Sequence, residues 1–499
     1  MAAQIDLVLI NPANREQIYQ SLGKTLSAIE PPVWAGLMAT YARGHGHSVA
    51  IIDSCAEALT PQATAERVEA LNPKLVAVVV YGQQPSAATQ VMPGAIQVCE
   101  TIKDNTPDQK IIVLGGHAAA LPRRSFDETV ADYVGTGEGV VTLVDLLAAL
   151  DSAAPRLDKV RGLIYHDGDE IQQNLGAPLL QNLDVEMPGI AWDLLPMDLY
   201  RAHNWHCLGE LDRAPYVAMY TTLGCPYKCS FCCIQAPFKE GEKLAGYKEK
   251  VNTYRRWSVE QIGSQLDILV NQYGVRNIKM ADEMFVLNKH HVIGLCDLII
   301  ERGYDLNIWA YSRVDTVKPE MLDKLKAAGF NWLAFGIESG NSKVRKDVDK
   351  GIDQDAIRET LALTRSHGIY IIGNYIFGLP EDDLASMQET LDLAMELNCE
   401  FGNFYCAMAY PGSPLYDHAI KEGLPLPKSW SGYSQHSVDS LPLATKHVSA
   451  GDVLRFRDDA FHEYYSNPTY LNMIHETFGA DTVASINNMA VQRLKRDNA

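Results

Sequence analysis

Long apolar runs are missing from this 499-residue chain: no stretch approaches the roughly 18 consecutive apolar residues a membrane-spanning helix needs, so no membrane span is expected. Positive charge is short as well. Forty-three Lys and Arg stand against 62 Asp and Glu, for a net charge of −19. Phosphate backbones are bound by clustered cations. The basic tail Arg493-Leu494-Lys495-Arg496 reads as a solvated helix end, and no nucleic-acid partner is expected. Ten cysteines in a chain of this length do not make a disulfide scaffold, and they point to a reducing, cytoplasmic setting. The first residues run straight into a strand, without the charged start and cleavage site of a signal peptide. No G-x-G-x-x-G follows that first strand, which argues against a nicotinamide site. What is present, 47% apolar and 21% charged residues, describes an ordinary globular chain with room for two to four domains.

Continuous apolar runs recur at 5–10, 49–52, 75–80, 111–114 and 131–134, separated by helical patterns at 34–44, 61–71, 87–103 and 140–150. Unbroken apolar strands alternating with helices predict a parallel sheet covered on both faces. Five strands in about 150 residues fit a doubly wound, flavodoxin-like sheet, whose ligands bind at the carboxyl ends of the strands. Those ends read Asn11-Pro12-Ala13-Asn14, Tyr81-Gly82-Gln83-Gln84-Pro85-Ser86, Gly115-Gly116-His117-Ala118 and Gly135-Thr136-Gly137-Glu138-Gly139. Glycines there let backbone amides approach a large ligand closely.

From 151 to 214 the periodicity breaks up. A hairpin with a polar turn is expected over Val160–Glu170, then an irregular connector bearing Pro188, Trp192 and Pro196. Alternation resumes with strands at 216–222, 277–281, 307–311, 332–336, 370–377 and 402–409. The intervening helix at 259–273 carries Val259, Ile262, Leu266, Leu269 and Tyr273 on one face. Six strand–helix units suggest an open (β/α)6 barrel with its chemistry at the carboxyl ends of the strands. From about Lys428 the chain reads as helical and polar, with amphipathic helix at 453–465 and more near 482–495. It is expected to close the barrel, with Tyr464, Tyr465 and Tyr470 in core packing.

The loop after the first barrel strand carries Cys225, Cys229 and Cys232 at C-x3-C-x2-C, with a Gly-Cys-Pro entry and Phe231 before the third cysteine. Three thiolates on one loop can ligate three irons of a cubane cluster and leave the fourth iron open. Structural zinc normally takes four ligands, and no partner pair stands at finger-like spacing. Cys233 is read as structural, and Cys55, Cys99, Cys296 and Cys399 as buried small hydrophobes.

This loop resembles the signature of the radical S-adenosylmethionine (SAM) superfamily. The resemblance implies a 4Fe-4S cluster whose open iron binds the amino and carboxylate groups of SAM. It also places Asp282 and Glu283 near the methionine ammonium, Arg313 (after Ser312) at the carboxylate, Glu338 at the ribose, and Gly378 with Phe231 near the adenine. The first domain, with Pro31-Pro32-Val33-Trp34 before an apolar helix, the Gly-Gly-His turn and the Val-Gly-Thr-Gly-Glu turn, is similar to the cobalamin-binding domain that precedes many radical SAM barrels. That implies cobalamin contacts at Asn11, Pro12, Gln83, Ser86, Gly115, Gly116, His117, Gly135, Gly137 and Glu138. The stretch Asp53-Ser54-Cys55-Ala56 lacks the axial histidine of methionine-synthase-type domains.

The expected architecture is therefore α/β: a doubly wound, flavodoxin-like (Rossmann-type) cobalamin domain at 1–150, a connector at 151–214, a partial (β/α)6 radical SAM barrel at 215–427 and a helical cap at 428–499. The resemblance implies a cobalamin-dependent radical SAM C-methyltransferase of a small-molecule intermediate, fed by an external donor of flavodoxin or ferredoxin type. SAM would serve as methyl donor and as source of a 5′-deoxyadenosyl radical. The same two domains occur in radical cyclases and rearrangement enzymes that transfer no methyl. A non-catalytic cobalamin carrier would leave the cysteine triad idle.

Overall fold

The computed structural model describes residues 4–209 and 211–499. Strands β1 (Leu7–Asn11), β2 (Val49–Asp53), β3 (Leu75–Val79), β4 (Ile111–Leu114) and β5 (Tyr133–Gly135) form a parallel sheet in the order 2-1-3-4-5. Every residue of β3 and β4 is buried, as a strand covered on both faces requires. The order reverses between β1 and β3, and the crevice outside their carboxyl ends is where such sheets hold ligands.

The hairpin expected in the connector forms, as β6 (Leu163–Asp167) and β7 (Glu170–Gln173). It belongs to the first sheet rather than to a free linker: β6 runs antiparallel along β5, pairing Tyr165 with Tyr133, and extends the sheet to seven strands. Its inner residues Leu163, Ile164 and Tyr165 are buried, which explains the docking.

The second sheet has six parallel strands: β8 (Tyr216–Met219), β9 (Asn277–Met280), β10 (Asn307–Ser312), β11 (Phe330–Glu338), β12 (Tyr370–Phe377) and β13 (Phe401–Cys406). Its order is 13-12-11-10-9-8, so β8 and β13 are open edges and the barrel is partial. Helices return each strand to the next. The one at Val259–Tyr273 is capped by the Ser258 hydroxyl, which accepts from the Gln261 amide, and is stopped by left-handed Gly274; it buries Ile262, Leu266 and Leu269.

The terminal segment departs from the expectation of helix from Lys428 onward. Residues 428–449 hold a single short 3-10 turn, Trp430–Tyr433, and helices Ala450–Ser466, Pro468–Phe478 and Ala480–Ala490 come after it. Serines at 429, 431, 434, 437 and 440 offer the backbone side-chain alternatives to helix. This irregular piece packs on the first domain, where the Trp430 indole donates to Glu128 at 2.6 Å and Arg124 lies 4.1 Å above the Trp430 ring.

The terminal segment, irregular piece and helices together, seals the β13 edge with side chains. The Tyr465 hydroxyl accepts from the Gly402 amide at 3.0 Å and bonds the Gly402 carbonyl at 2.8 Å. Arg457 donates to the Phe404 carbonyl at 2.8 Å, and the Gln435 amide pairs with both backbone groups of Cys406 at 2.9 Å. Tyr464, Tyr465 and Tyr470 are fully buried.

Candidate functional site

The cysteine loop leaves β8 through Thr221 and Thr222, and Asp282 fixes its start. That carboxylate is fully buried and accepts from the Thr221 amide (3.0 and 3.2 Å), the Thr221 hydroxyl (2.7 Å) and the Thr222 hydroxyl (2.5 Å). Burial raises its pKa to about 6 against these bonds. The Asp282 oxygens are thus spent on the loop, while its neighbour Glu283 lines the cavity beside it. Gly224 has φ +87, and a Cβ there would lie 2.5 Å from the Thr253 carbonyl oxygen, so the turn admits only glycine. Gln235 donates to the Cys225 carbonyl (2.6 Å), Asn252 to the Tyr227 carbonyl (2.6 Å), and Cys232 N–H to the Cys229 carbonyl (3.0 Å).

Cys225 is buried, Cys229 and Cys232 are half-buried, and all three are free thiols. Burial raises all three thiol pKa values, Cys225 to about 11, so a bound metal must displace their protons. Among the described residues no three His, Cys, Asp or Glu side chains converge as a single metal ion would require. A lone zinc thus lacks a closed ligand set, whereas a cubane holds its thiolates at separate corners, and the all-sulfur donor set fits it.

A cavity of about 700 Å³ opens beside this loop and runs along the carboxyl ends of the barrel strands. Phe231, Cys232, Glu283, Ser312, Arg313 and Glu338 all line it. Glu283 Oε2 and Ser312 Oγ are buried polar atoms without a partner, the state expected of groups that await a polar ligand. Burial pushes the Glu283 carboxyl up to about 8. Arg313 is held by Asp315 at 2.9 and 3.0 Å, stacks 3.8 Å over the Tyr227 ring, and brings Nη1 to 4.0 Å from Cys229 Sγ. Glu338 sits at φ +65, a strained backbone state for a non-glycine residue, and is ion-paired with buried Lys350. Lys350 also lines the cavity, and no local pattern singled it out. Gly378 is not brought to this group: its amide donates to Asp382 at 3.1 Å, and a Cβ would meet Val453 at 2.5 Å, so the glycine serves the docking of the terminal helix.

The first domain contributes the opposite wall. Gln83 and Ser86 line the main cavity, and the Gln83 carbonyl accepts from Lys279 Nζ at 3.0 Å. Lys279 in turn pairs with Glu30 at 2.9 Å, both side chains buried, which ties the barrel to the first domain at the cavity wall. Asn11 and Pro12 line a smaller recess of about 90 Å³ between β1 and β3, together with Gln83 and Tyr81. Asn11 is braced by Asp53 at 2.8 Å.

His117 and Gly116 face a narrow gap between the domains. His117 Nδ1 lies 3.1 Å from the Thr89 hydroxyl, its ring meets Trp430 edge-on at 4.5 Å, and its buried Nε2 has no partner. Burial, aided by Arg124, lowers its pKa to about 3, so it stays neutral. Gly115, Gly135 and Gly137 do backbone work. A Cβ on Gly115 would come within 2.5 Å of the Val80 backbone, Gly135 packs on Leu114, and Gly137 takes φ +63. The Glu138 side chain forms a buried ion pair with Arg255 of the barrel (2.7 and 3.2 Å) and accepts from the Leu180 amide at 3.3 Å, which joins the two domains.

Two family models match the chain. Residues 219–394 match the model described as Radical SAM superfamily, and residues 19–147 the model described as B12 binding domain. An uncharacterized methyltransferase of Pyrococcus horikoshii is 29% identical over 93% of this chain and 93% of its own length. An anaerobic magnesium-protoporphyrin IX monomethyl ester cyclase of Cereibacter sphaeroides is 25% identical over 80% of this chain and 62% of its own. Among solved structures, a radical S-adenosylmethionine methyltransferase from Kitasatospora setae with cobalamin and a [4Fe-4S] cluster bound superimposes with TM-score 0.67, covering 93% of this chain and 90% of that one. At 17% identity that likeness is one of fold. No helix among the described residues is long and apolar enough to cross a membrane.

Proposed function

We propose that this chain, in which a B12-binding domain precedes a radical SAM domain, is a cobalamin-dependent radical SAM methyltransferase acting on an unactivated carbon of a small-molecule biosynthetic intermediate. One observation carries the reading: a single cavity is lined at once by the cysteine loop (Cys232), by barrel strand ends (Glu283, Ser312, Glu338) and by the first domain (Gln83, Ser86). A cluster with SAM on one wall and a corrin on the other would share that space with substrate.

When bound, the cluster and SAM supply a 5′-deoxyadenosyl radical that abstracts hydrogen, and cobalamin supplies the methyl group. The chain's own residues hold and orient these groups. Glu283, released from the neutral form by a cationic neighbour, accepts from an ammonium. Arg313, held in orientation by Asp315 and Tyr227, offers Nη1 beside the cysteine loop to a carboxylate. Glu338 and Ser312 provide acceptor and donor for hydroxyl groups at the same level. Gln83, Ser86, Asn11 and Pro12 stand where β1 and β3 diverge, the place for a large ligand on this sheet order. Trp309, Phe401 and Phe404 add apolar surface to the lining of the same cavity.

The test is anaerobic turnover of the reconstituted protein with SAM, cobalamin, a low-potential reductant and candidate substrates. Substrate-dependent 5′-deoxyadenosine together with S-adenosylhomocysteine, near one to one, is the expected result. Deoxyadenosine alone would move the assignment to rearrangement or to cyclisation, the latter being the activity named for the Cereibacter relative. Neither product, with cobalamin retained, would leave a carrier.

A further inference from the structure

The −19 charge of the chain is not evenly spread. Between Pro226 and Arg256, the segment that contains the cysteine loop and the excursion after it, seven Lys and Arg stand against three Glu. The cations are mostly at the surface: Lys228, Lys239, Lys243, Lys248, Lys250 and Arg256 are exposed. The acidic side chains are mostly spent inward. Glu242 is buried, accepts from the Thr253 amide at 2.6 Å and pairs with Lys239 at 2.9 Å, and Glu240 accepts from Thr136 at 2.6 Å. Glu249 is exposed, so Lys243, Lys248 and Lys250 against Glu249 are the charges left open on residues 239–251. Within the same segment three large apolar side chains lie open to solvent, Leu244 (44%), Tyr247 (39%) and Val251 (43%). Exposed apolar side chains set among an excess of exposed lysines suit a transient protein contact, where the charge steers encounter and the apolar side chains supply contact area.

The excursion is wired to the cysteine loop rather than merely near it in sequence. Lys239 donates to the Asn252 side chain at 2.5 Å, and Asn252 donates to the Tyr227 carbonyl at 2.6 Å, two residues before Cys229. Tyr227 carries the Arg313 guanidinium, whose Nη1 is 4.0 Å from Cys229 Sγ. The surface is thus a few bonds and two hydrogen bonds from the thiols.

We propose that the exposed face of residues 239–251, beside the cysteine loop, is the docking surface for an acidic, low-potential electron-transfer protein of the flavodoxin or ferredoxin class. The proposal rests on the reading that Cys225, Cys229 and Cys232 hold an iron–sulfur cluster. One electron passes per encounter: the carrier is oxidised by one electron and the cluster is reduced by one. The occupant is a compact acidic protein and not a nucleic acid, because a chain of net charge −19 repels a long polyanion while a small acidic patch can engage the lysines locally.

The test uses the cluster-loaded full chain and a photoreduced acidic flavodoxin as probe. Stopped-flow absorbance follows cluster reduction, and titration gives affinity, each from low to high salt. The double variant K248E/K250E is expected to lower the bimolecular rate about tenfold near 50 mM salt, with the difference vanishing at high salt. Reduction by dithionite should not change, nor should iron content. L244S/Y247S should weaken binding and leave the salt slope as it was. K421E, on an exposed helix elsewhere, is the control and should match the parent. Equal flavodoxin rates for K248E/K250E and parent, or an equal loss in K421E, would overturn the proposal. So would a short single-stranded RNA that binds this face more tightly than flavodoxin does. A chain that takes up no cluster yet binds flavodoxin through these lysines would overturn the functional reading and not the surface.

Discussion

Replacing Glu138 by Gln should loosen the joint between the two domains far more than a surface substitution would. The Glu138 and Arg255 side chains are 5% and 7% exposed, and their two contacts at 2.7 and 3.2 Å are joined by an Arg255 donation to the Leu180 carbonyl at 2.6 Å. Removing the charge leaves the guanidinium buried with only neutral acceptors, the Gln amide oxygen and the Leu180 carbonyl. Breaking a buried pair in this way costs about 3–5 kcal/mol, because the surviving charge keeps its desolvation cost and loses its partner. Native-state hydrogen exchange of the Leu180 region reads the effect directly, since its amide is bonded to Glu138. Opening should become more frequent by a factor on the order of 10³ at 3–5 kcal/mol. The double variant E138Q/R255Q buries no charge and keeps donors and acceptors facing one another, so it should recover to within about 1–2 kcal/mol of the parent. A cost below about 1 kcal/mol for E138Q, or a double variant no better than the worse single one, would refute the argument.

Two further outcomes follow, one from the cavity and one from the turn before Cys225. Glu283 is raised to about 8 in the folded chain, so between its ordinary value of 4.5 and 8 the native state holds a proton that the unfolded state has lost. Stability of the ligand-free protein should therefore fall as pH rises across that window, and E283Q should flatten the fall in urea titrations at successive pH values; an unchanged slope would count against the burial argument. At Gly224, alanine must adopt φ +87 and displace the Thr253 carbonyl, a strain of about 1–3 kcal/mol placed on the residue before Cys225. Iron retention by G224A after reconstitution should drop well below the parent's, and full iron content would show that the turn tolerates a Cβ.

The strand–helix alternation and the C-x3-C-x2-C spacing were legible because both are local: apolar period and short spacing survive without knowledge of the fold. The partial barrel and the flavodoxin-like strand order came from that signal. Polar strand ends carried less information. Asp282, Glu283 and Glu138 look alike in sequence, yet Asp282 is consumed by Thr221 and Thr222, Glu138 by Arg255, and Glu283 alone is left open. Which fate a carboxylate meets depends on a partner 60 to 117 residues away. The same holds for Gly378, whose neighbour Val453 lies on the terminal helix, and for His117, met by Trp430 from the far end of the chain. The hairpin was legible as a hairpin, but its membership in the first sheet is decided by burial against β5, which has no local signature.

The side-chain seal along β13 sets a rule for exchanging the terminal segment between relatives. Alternate residues of that edge, Gly402, Phe404 and Cys406, find their backbone partners in Tyr465, Arg457 and Gln435. A chimera that imports new terminal helices to reshape the substrate end of the cavity must import donors and acceptors at those three heights too. Otherwise the graft exposes a strand edge that is free to recruit another chain, and the product would be a fibre or a swapped dimer instead of an enzyme of altered selectivity.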